Sequence, residues 1–396
     1  MRIRCTAVCC RVFILPAHSA LALLFVLGAE CSKPTGHTQV PLFTKGVYPI
    51  VFAQADFPVH PKTLQPMRNS KDCAPCHETA YRNWNLSRHR VALTNELYHE
   101  SHTREPSPWC VNCHAPLRLE GREKAPYNGD EGVSCLVCHA RRGEILAGAP
   151  PAVARGKNPA HVYRITPELR DERFCENCHD FNFPTAATAM SEGAHFRYTD
   201  QPMQSTVSEY RASSYYGKIT CNDCHVFSGS SQSHSFPGGH AIDRLAKDLR
   251  VEIQRIDGAH IGVKIFAQGI GHAFPTGDLF RTLRLQLSDA TKNRREQIEL
   301  RHVFAVVPKA QATPDSPIKL RVREETLPPP QLDYTSMREY IVEWPVDSLQ
   351  VFSELYIDYL SEINTVTTRL PLRLTRPLIK RERFQLKRMP ATDAKG

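Results

Sequence analysis

The sequence predicts two unlike halves: an irregular segment of short helices organised by cysteine–histidine motifs, followed by an antiparallel β-sandwich. Three observations carry this. The pentapeptide Cys-x-x-Cys-His occurs five times, at Cys73–His77, Cys110–His114, Cys135–His139, Cys175–His179 and Cys221–His225. These motifs use ten of the fourteen cysteines, and the other four (Cys5, Cys9, Cys10, Cys31) fall in the first 31 residues. Beyond Asp243 there is no cysteine, and runs of alternating apolar and polar residues take over.

Residues 1–29 read as an export signal. Arg2, Arg4 and Arg11 precede a stretch from Val12 to Ala29 that carries no acid and no base but His18, and it ends in small residues. A retained membrane anchor is the alternative, which Pro16 and His18 weaken. Cys31 raises a lipoprotein reading, but Glu30 stands before it where a small residue is expected. Residues 30–72 hold Pro34, Pro41, Pro49, Pro58, Pro61 and Pro66 without sustained periodicity and read as an extended leader.

Residues 73–242 contain all five motifs. Two thiols three positions apart reach the two vinyl groups on one porphyrin edge, and the adjacent imidazole then lies under the iron. This is the attachment signature of c-type haem. Zinc would pair one Cys-x-x-Cys with a second pair at set spacing and would not demand His after every second Cys. The segment is therefore expected to hold five covalent haems, with Cys73, Cys76, Cys110, Cys113, Cys135, Cys138, Cys175, Cys178, Cys221 and Cys224 as thioether donors. His77, His114, His139, His179 and His225 are the expected proximal ligands. So many haems in so short a segment leave little room for a side-chain core, and short helices and long loops around porphyrins follow.

Other histidines compete for the sixth positions. His89 follows Tyr81 and Trp84 at helical spacing, which predicts a ring held beside a porphyrin other than that of His77. The same spacing recurs as Val207-x-x-Tyr210-x-x-Ser213-x-Tyr215. His234 and His272 open two loops of one form, His-x-Phe-Pro-x-Gly: His234-Ser-Phe-Pro-Gly-Gly239 and His272-Ala-Phe-Pro-Thr-Gly277. Proline fixes the backbone after each His, the Phe can pack on a macrocycle, and Gly allows a tight exit. An ordinary turn is the bland reading of both. His240, His161 and His195 complete the candidates.

Residues 243–385 read as a β-sandwich of seven or eight strands. Alternation appears at 251–256, 261–267, 282–287, 298–307, 318–322, 339–344, 354–359 and 369–374, broken by Pro, Gly and Asp turns. Residues 386–396 are a polar tail. The formal charge of +9 omits the cofactors. With propionates and iron counted and the leader's arginines removed, five bis-His haems bring the chain to about +1 oxidised and about −4 reduced. Excess Lys and Arg thus read as propionate partners and solvated surface, and nucleic-acid binding is not expected.

Several segments resemble the multihaem cytochrome family that includes the nitrifier tetrahaem cytochrome accepting electrons from hydroxylamine oxidoreductase. They are Cys73-Ala-Pro-Cys-His-Glu-Thr-Ala-Tyr81 through Trp84, Ser87 and His89; Cys113-His114-Ala-Pro116; Glu131-Gly-Val-Ser-Cys135-Leu-Val-Cys-His139; and Phe174-Cys-Glu-Asn-Cys-His179. Met203-Gln204-Ser-Thr206, Glu209 and Gly217-Lys-Ile-Thr-Cys221 continue the likeness. The resemblance implies stacked haem pairs, bis-His ligation at most irons and electron relay; Gly271–Gly277 looks like members with an appended β domain. Five sites exceed the tetrahaem pattern, and Tyr210 stands where many relatives have Trp, so haem order and partner do not carry over.

The expected function is an exported electron-transfer protein, periplasmic or extracellular, passing electrons between redox partners such as other cytochromes or a quinol-linked membrane donor. Membrane association through the N-terminus is the variant that a retained anchor would give. The rival is an oxidoreductase acting on a small nitrogen or sulfur compound at one five-coordinate haem.

Overall fold

The computed structural model describes residues 58–60, 62–118, 131–141, 143–148, 161, 163–189, 197–227, 234–331 and 333–388, all within one compact unit. The leader 1–29, most of the Pro-rich segment, the tail beyond 388 and His195 lie outside the described residues.

The haem-motif half is built from short helices: α1 (Glu78–Asn85), α2 (Glu96–Arg104), α3 (Val111–His114), α4 (Cys135–His139), α5 (Glu172–His179), α6 (Ala186–Ala189), α7 (Thr206–Arg211), α8 (Cys221–His225) and α9 (Ile242–Asp248). Strands β1 (Ala140–Arg141), β2 (Glu144–Ala147) and β3 (Tyr163–Ile165) form a small sheet after the third motif. The sequence reading left loops between the fourth and fifth motifs; the structure has a hairpin there, β4 (Asp180–Pro184) against β5 (Tyr198–Ser205). Its signal is hidden because Pro184 and Pro202 interrupt the run and the register shifts twice.

In the second half, β6 (Leu249–Arg255), β7 (His260–Gln268) and β12 (Thr335–Glu343) form one antiparallel sheet in the order β12-β7-β6. β8 (Thr282–Ser288), β9 (Arg295–Leu300), β13 (Gln350–Asp358) and β14 (Leu378–Gln385) form a second, in the order β14-β13-β8-β9. Val251, Val263 and Ile265 from the first and Leu285, Leu287 and Leu355 from the second fill one core. Leu97 of α2 and Leu245 of α9 join it, so the helical half packs directly on the sheets. Period-two alternation is clearest in β13, where every second side chain is buried.

Two expected strands differ. The run 298–307 breaks at Arg301: β9 stays in the four-stranded sheet while β10 (His302–Val306) turns away to pair with β11 (Lys319–Glu324). The run 369–374 is no strand. Pro371 cannot donate to a ladder, and after α10 (Glu362–Thr367) the chain makes the short helix α11 (Leu372–Thr375). The closing strand β14 lies beyond it, concealed by the charged stretch Lys380–Arg383.

Two charged groups lie inside the second sheet. Arg284 donates to Asp358 Oδ2 at 2.7 Å and meets Glu299 at 2.6 Å, while Arg376 reaches Asp358 Oδ1 at 2.5 Å. The side chains of Arg284 and Asp358 are 5% and 3% exposed, so removing one partner strands a charge in a dry place. Asp358→Ala is expected to cost about 3–5 kcal/mol, read as a lowered thermal midpoint. A melt within error of the parent would mean that Glu299 alone suffices for Arg284.

Candidate haem sites

Each described motif lies in or beside a helical turn, which puts residues i and i+3 on one side and the His at i+4 next to them. Caps fix these turns. Thr220 and Asp223 form a capping box on α8, with Thr220 N–H and Oγ donating to Asp223 Oδ2 at 2.7 and 2.8 Å. The Asp171 side chain accepts from Arg173 N–H to start α5. Arg211 of α7 grips that helix bidentately through Glu176, at 3.0 Å to each oxygen.

Four histidine pairs stand at nearly one separation. Ring centres lie 6.1 Å apart for His77 and His161, 6.2 Å for His89 and His179, 6.1 Å for His139 and His234, and 6.4 Å for His225 and His272. An imidazole bound through nitrogen at about 2 Å has its centre about 3 Å from the metal, so two trans imidazoles sharing an iron stand about 6 Å apart. The residues present therefore fit haem iron. Each pair contains one motif His and one of the expected distal candidates.

The second nitrogens agree. Nδ1 of His139 lies 2.8 Å from Leu146 O, that of His225 2.6 Å from Pro237 O, that of His114 2.8 Å from Ala92 O, and that of His272 2.8 Å from Ala273 O. A carbonyl only accepts, so each Nδ1 carries the proton and Nε2 keeps its lone pair for a metal. Burial, reinforced by nearby histidines or Arg281, pushes His89 down to about 3 and His179 and His225 to about 4. These rings stay neutral, the form a metal ligand needs. Among the described residues no three His, Cys, Asp or Glu gather as a zinc site would require.

The cysteines place the sites relative to each other. Cys73 neighbours Cys135, Cys113 neighbours Cys178, and Cys175 neighbours Cys221, each at hydrogen-bond reach. Cys138 and Cys178 also lie close enough to influence each other.

Some expected residues behave differently. His89 is not on a helix with Tyr81 and Trp84: α1 ends at Asn85, and His89 sits in the turns beyond. What holds it is the Gly132–Val133 segment, through Gly132 N–H to Arg90 O and Val133 N–H to His89 O, with Trp84 Nε1 donating to Val133 O at 2.8 Å. In the echoing segment Tyr215 takes the place of His89, and its ring lies under Gly271, next to His272. The two loop phenylalanines also part ways. Phe236 packs on the His89 ring at 4.3 Å, whereas Phe274 joins the sheet core. His240 stacks on Tyr359 at 3.9 Å. On His114 the ring of Tyr98 packs at 4.4 Å, with His102 near enough to act on it.

Residues 72–140 match the family model described as cytochrome c554 and c-prime. The crystal structure of a penta-heme cytochrome c552 from Thermochromatium tepidum is similar at a TM-score of 0.60 and 23% identity, covering 80% of this chain and 98% of that one. The X-ray structure of Northeast Structural Genomics Consortium target SoR45 covers 38% of this chain and 95% of its own at 12% identity, with a TM-score of 0.17, too low for a shared fold. No curated protein sequence matches the chain. Residues 72–140 are thus similar to the cytochrome c554 and c-prime family, and the chain shares its fold with the penta-heme protein.

Proposed function

We propose that the chain is an exported pentahaem c-type cytochrome that relays electrons between redox partners through closely packed, mostly bis-His haems. The observation that supports this best is the set of four motif-to-distal histidine pairs at 6.1–6.4 Å. When bound, the haems supply one-electron centres whose potentials follow axial ligands and burial. The polypeptide sets their order. Its cysteine neighbours run from the first site to the third, from the third to the fourth, and from the fourth to both the second and the fifth. Residues 243–385 serve as a domain that lends His272 to the fifth site. The donor class is another cytochrome or a quinol-linked membrane protein, and the location is periplasmic or extracellular, with the N-terminal segment as signal or anchor.

A second reading has its own observation: the ring packed on His114 is that of Tyr98, at 4.4 Å. In that reading the second site holds a five-coordinate haem that acts on a small nitrogen or sulfur compound. Intact-mass analysis of protein matured in a haem-attaching host should show five added haems, recovered from the periplasm. Low-temperature electron paramagnetic resonance of the oxidised protein then separates the readings. Low-spin signals throughout support pure relay; one stoichiometric high-spin signal that nitrite or cyanide perturbs puts the enzyme first.

A further inference from the structure

The two His-x-Phe-Pro-x-Gly loops end on glycines that meet a single side chain. A Cβ on Gly239 would stand 3.2–3.3 Å from the Arg281 guanidinium, and one on Gly277 would stand 3.2 Å from Arg281 Nη1. Arg281 Nη1 donates to Thr276 O at 2.8 Å, and Gly277 has a φ of +85° that favours glycine. The guanidinium is thus wedged between the loop presenting His234 and the loop presenting His272. Its Nε is buried and has no hydrogen-bond partner, and among the described residues no carboxylate pairs with it.

Arg88, directly before His89, faces the same space. Its hydrogen bond goes to a neutral group, Asn95 Oδ1 at 2.8 Å. Arg88 and Arg281 lie close enough to act on each other, and both act on His240 and Tyr359. Tyr359 donates to Gly239 O at 2.7 Å and stacks on His240 at 3.9 Å, which walls that space with rings and not with carboxylates. Two guanidinium groups sharing a partly dry space repel, and among the described residues no carboxylate pairs with either. The missing partner is a carboxylate-sized anion, which a planar fork of N–H donors suits.

We infer that Arg88 and Arg281 clamp a propionate carboxylate of the haem held between His89 and His179. Arg88 adjoins one axial ligand of that haem, and Arg281 lies near the other. Arg141 lies near Cys178, a thioether donor of that site, and near Cys138 of the third. Propionates leave a porphyrin on the side away from its thioethers, so the clamp requires both guanidinium groups to stand away from Cys175 and Cys178. The clamp also ties that haem to both distal loops at once, through the two glycines.

The inference rests on the pairing of His89 with His179, and the test keeps the two apart. His89→Ala should convert one haem to high spin and so identify the haem concerned; if it converts none, the pairing itself fails. Arg281→Gln, Arg88→Gln and their double variant, made in the full chain and matured with haem, should keep the parent's haem count and low-spin signals. One midpoint potential, that of the His89 haem, should fall by about 59 mV or more. That is a tenfold change in its reduced-to-oxidised ratio at fixed potential. Loss of the cation leaves the propionate uncompensated and favours the ferric charge. Arg281→Lys should recover most of the fall. Unchanged midpoints in the double variant overturn the clamp. So does a change from low to high spin in Arg281→Gln, which would make Arg281 a brace for the loops. Inorganic phosphate distinguishes the source of the anion. Wild-type midpoints that move with phosphate, and cease to move in Arg281→Gln, assign the cradle to a free oxyanion and overturn the propionate. If Arg281→Gln does not mature, Gly239→Ala displaces the same guanidinium and should lower the same midpoint by a smaller amount; no shift there overturns the proposal.

Discussion

His272→Ala leaves all haems attached and converts one iron fully from low to high spin. Attachment depends on the motif cysteines and their adjacent histidines, none of which changes. The proposed sixth ligand of the fifth site, however, comes from the sheet-bearing half: His272 stands 6.4 Å from His225 with its ring within 12° of parallel. Its Nδ1 is already committed to Ala273 O, so Nε2 is the nitrogen left to bind iron. Nothing else in the loop can substitute, because Ala273, Phe274 and Pro275 are apolar and buried. Paramagnetic resonance of the ferric protein reads the conversion, and limited proteolysis reads the loosened seam between the halves. A spectrum identical to the parent's would reduce the loop to a turn.

Gly132→Ala is expected to act as strongly at the fourth site from a residue that touches no iron. A Cβ there would lie 2.7 Å from His89 O, 2.8 Å from Ala92 N and 2.9 Å from Ala92 Cβ. Two of these are backbone atoms, so relief requires moving the turn that carries His89. Overpacking of this kind costs about 1–3 kcal/mol. The displacement should also weaken or break axial ligation opposite His179. The variant should melt lower and show partial high-spin character at one haem. An unshifted melt with wholly low-spin iron would show that the 131–133 segment yields instead.

The five motifs were legible because their chemistry is local, thiol spacing and an adjacent His, and His234 and His272 stood out by the proline that stiffens each loop. Which His faces which motif was not, since that depends on how distant segments pack. Gly132 shows the limit well. In the sequence it is one more loop glycine, and its role exists only where the Glu131–Val133 segment crosses the turn at His89. Six of the eight expected strands read cleanly through alternation. The exceptions, the break at Arg301 and the missed Leu378–Gln385, arise where a strand changes sheet or where charged stems cover its faces. Arg281 was invisible for a similar reason, because its neighbours are the ends of two loops remote from each other in the chain.

The four histidine pairs do not nest; they interleave. His89 and His139 both lie inside the span from His77 to His161, His179 lies inside the span from His139 to His234, and His225 lies there too. With iron in place, each pair closes a long loop, and each loop is threaded through its neighbour's sequence. Cross-links over loops of this length restrict an unfolded chain by on the order of 4 kcal/mol each, as disulfides do. Interleaving makes them mutually dependent, since opening one frees residues that belong to another. The span from His225 to His272 overlaps just one other, so a competing ligand such as free imidazole should loosen the protein from that end first.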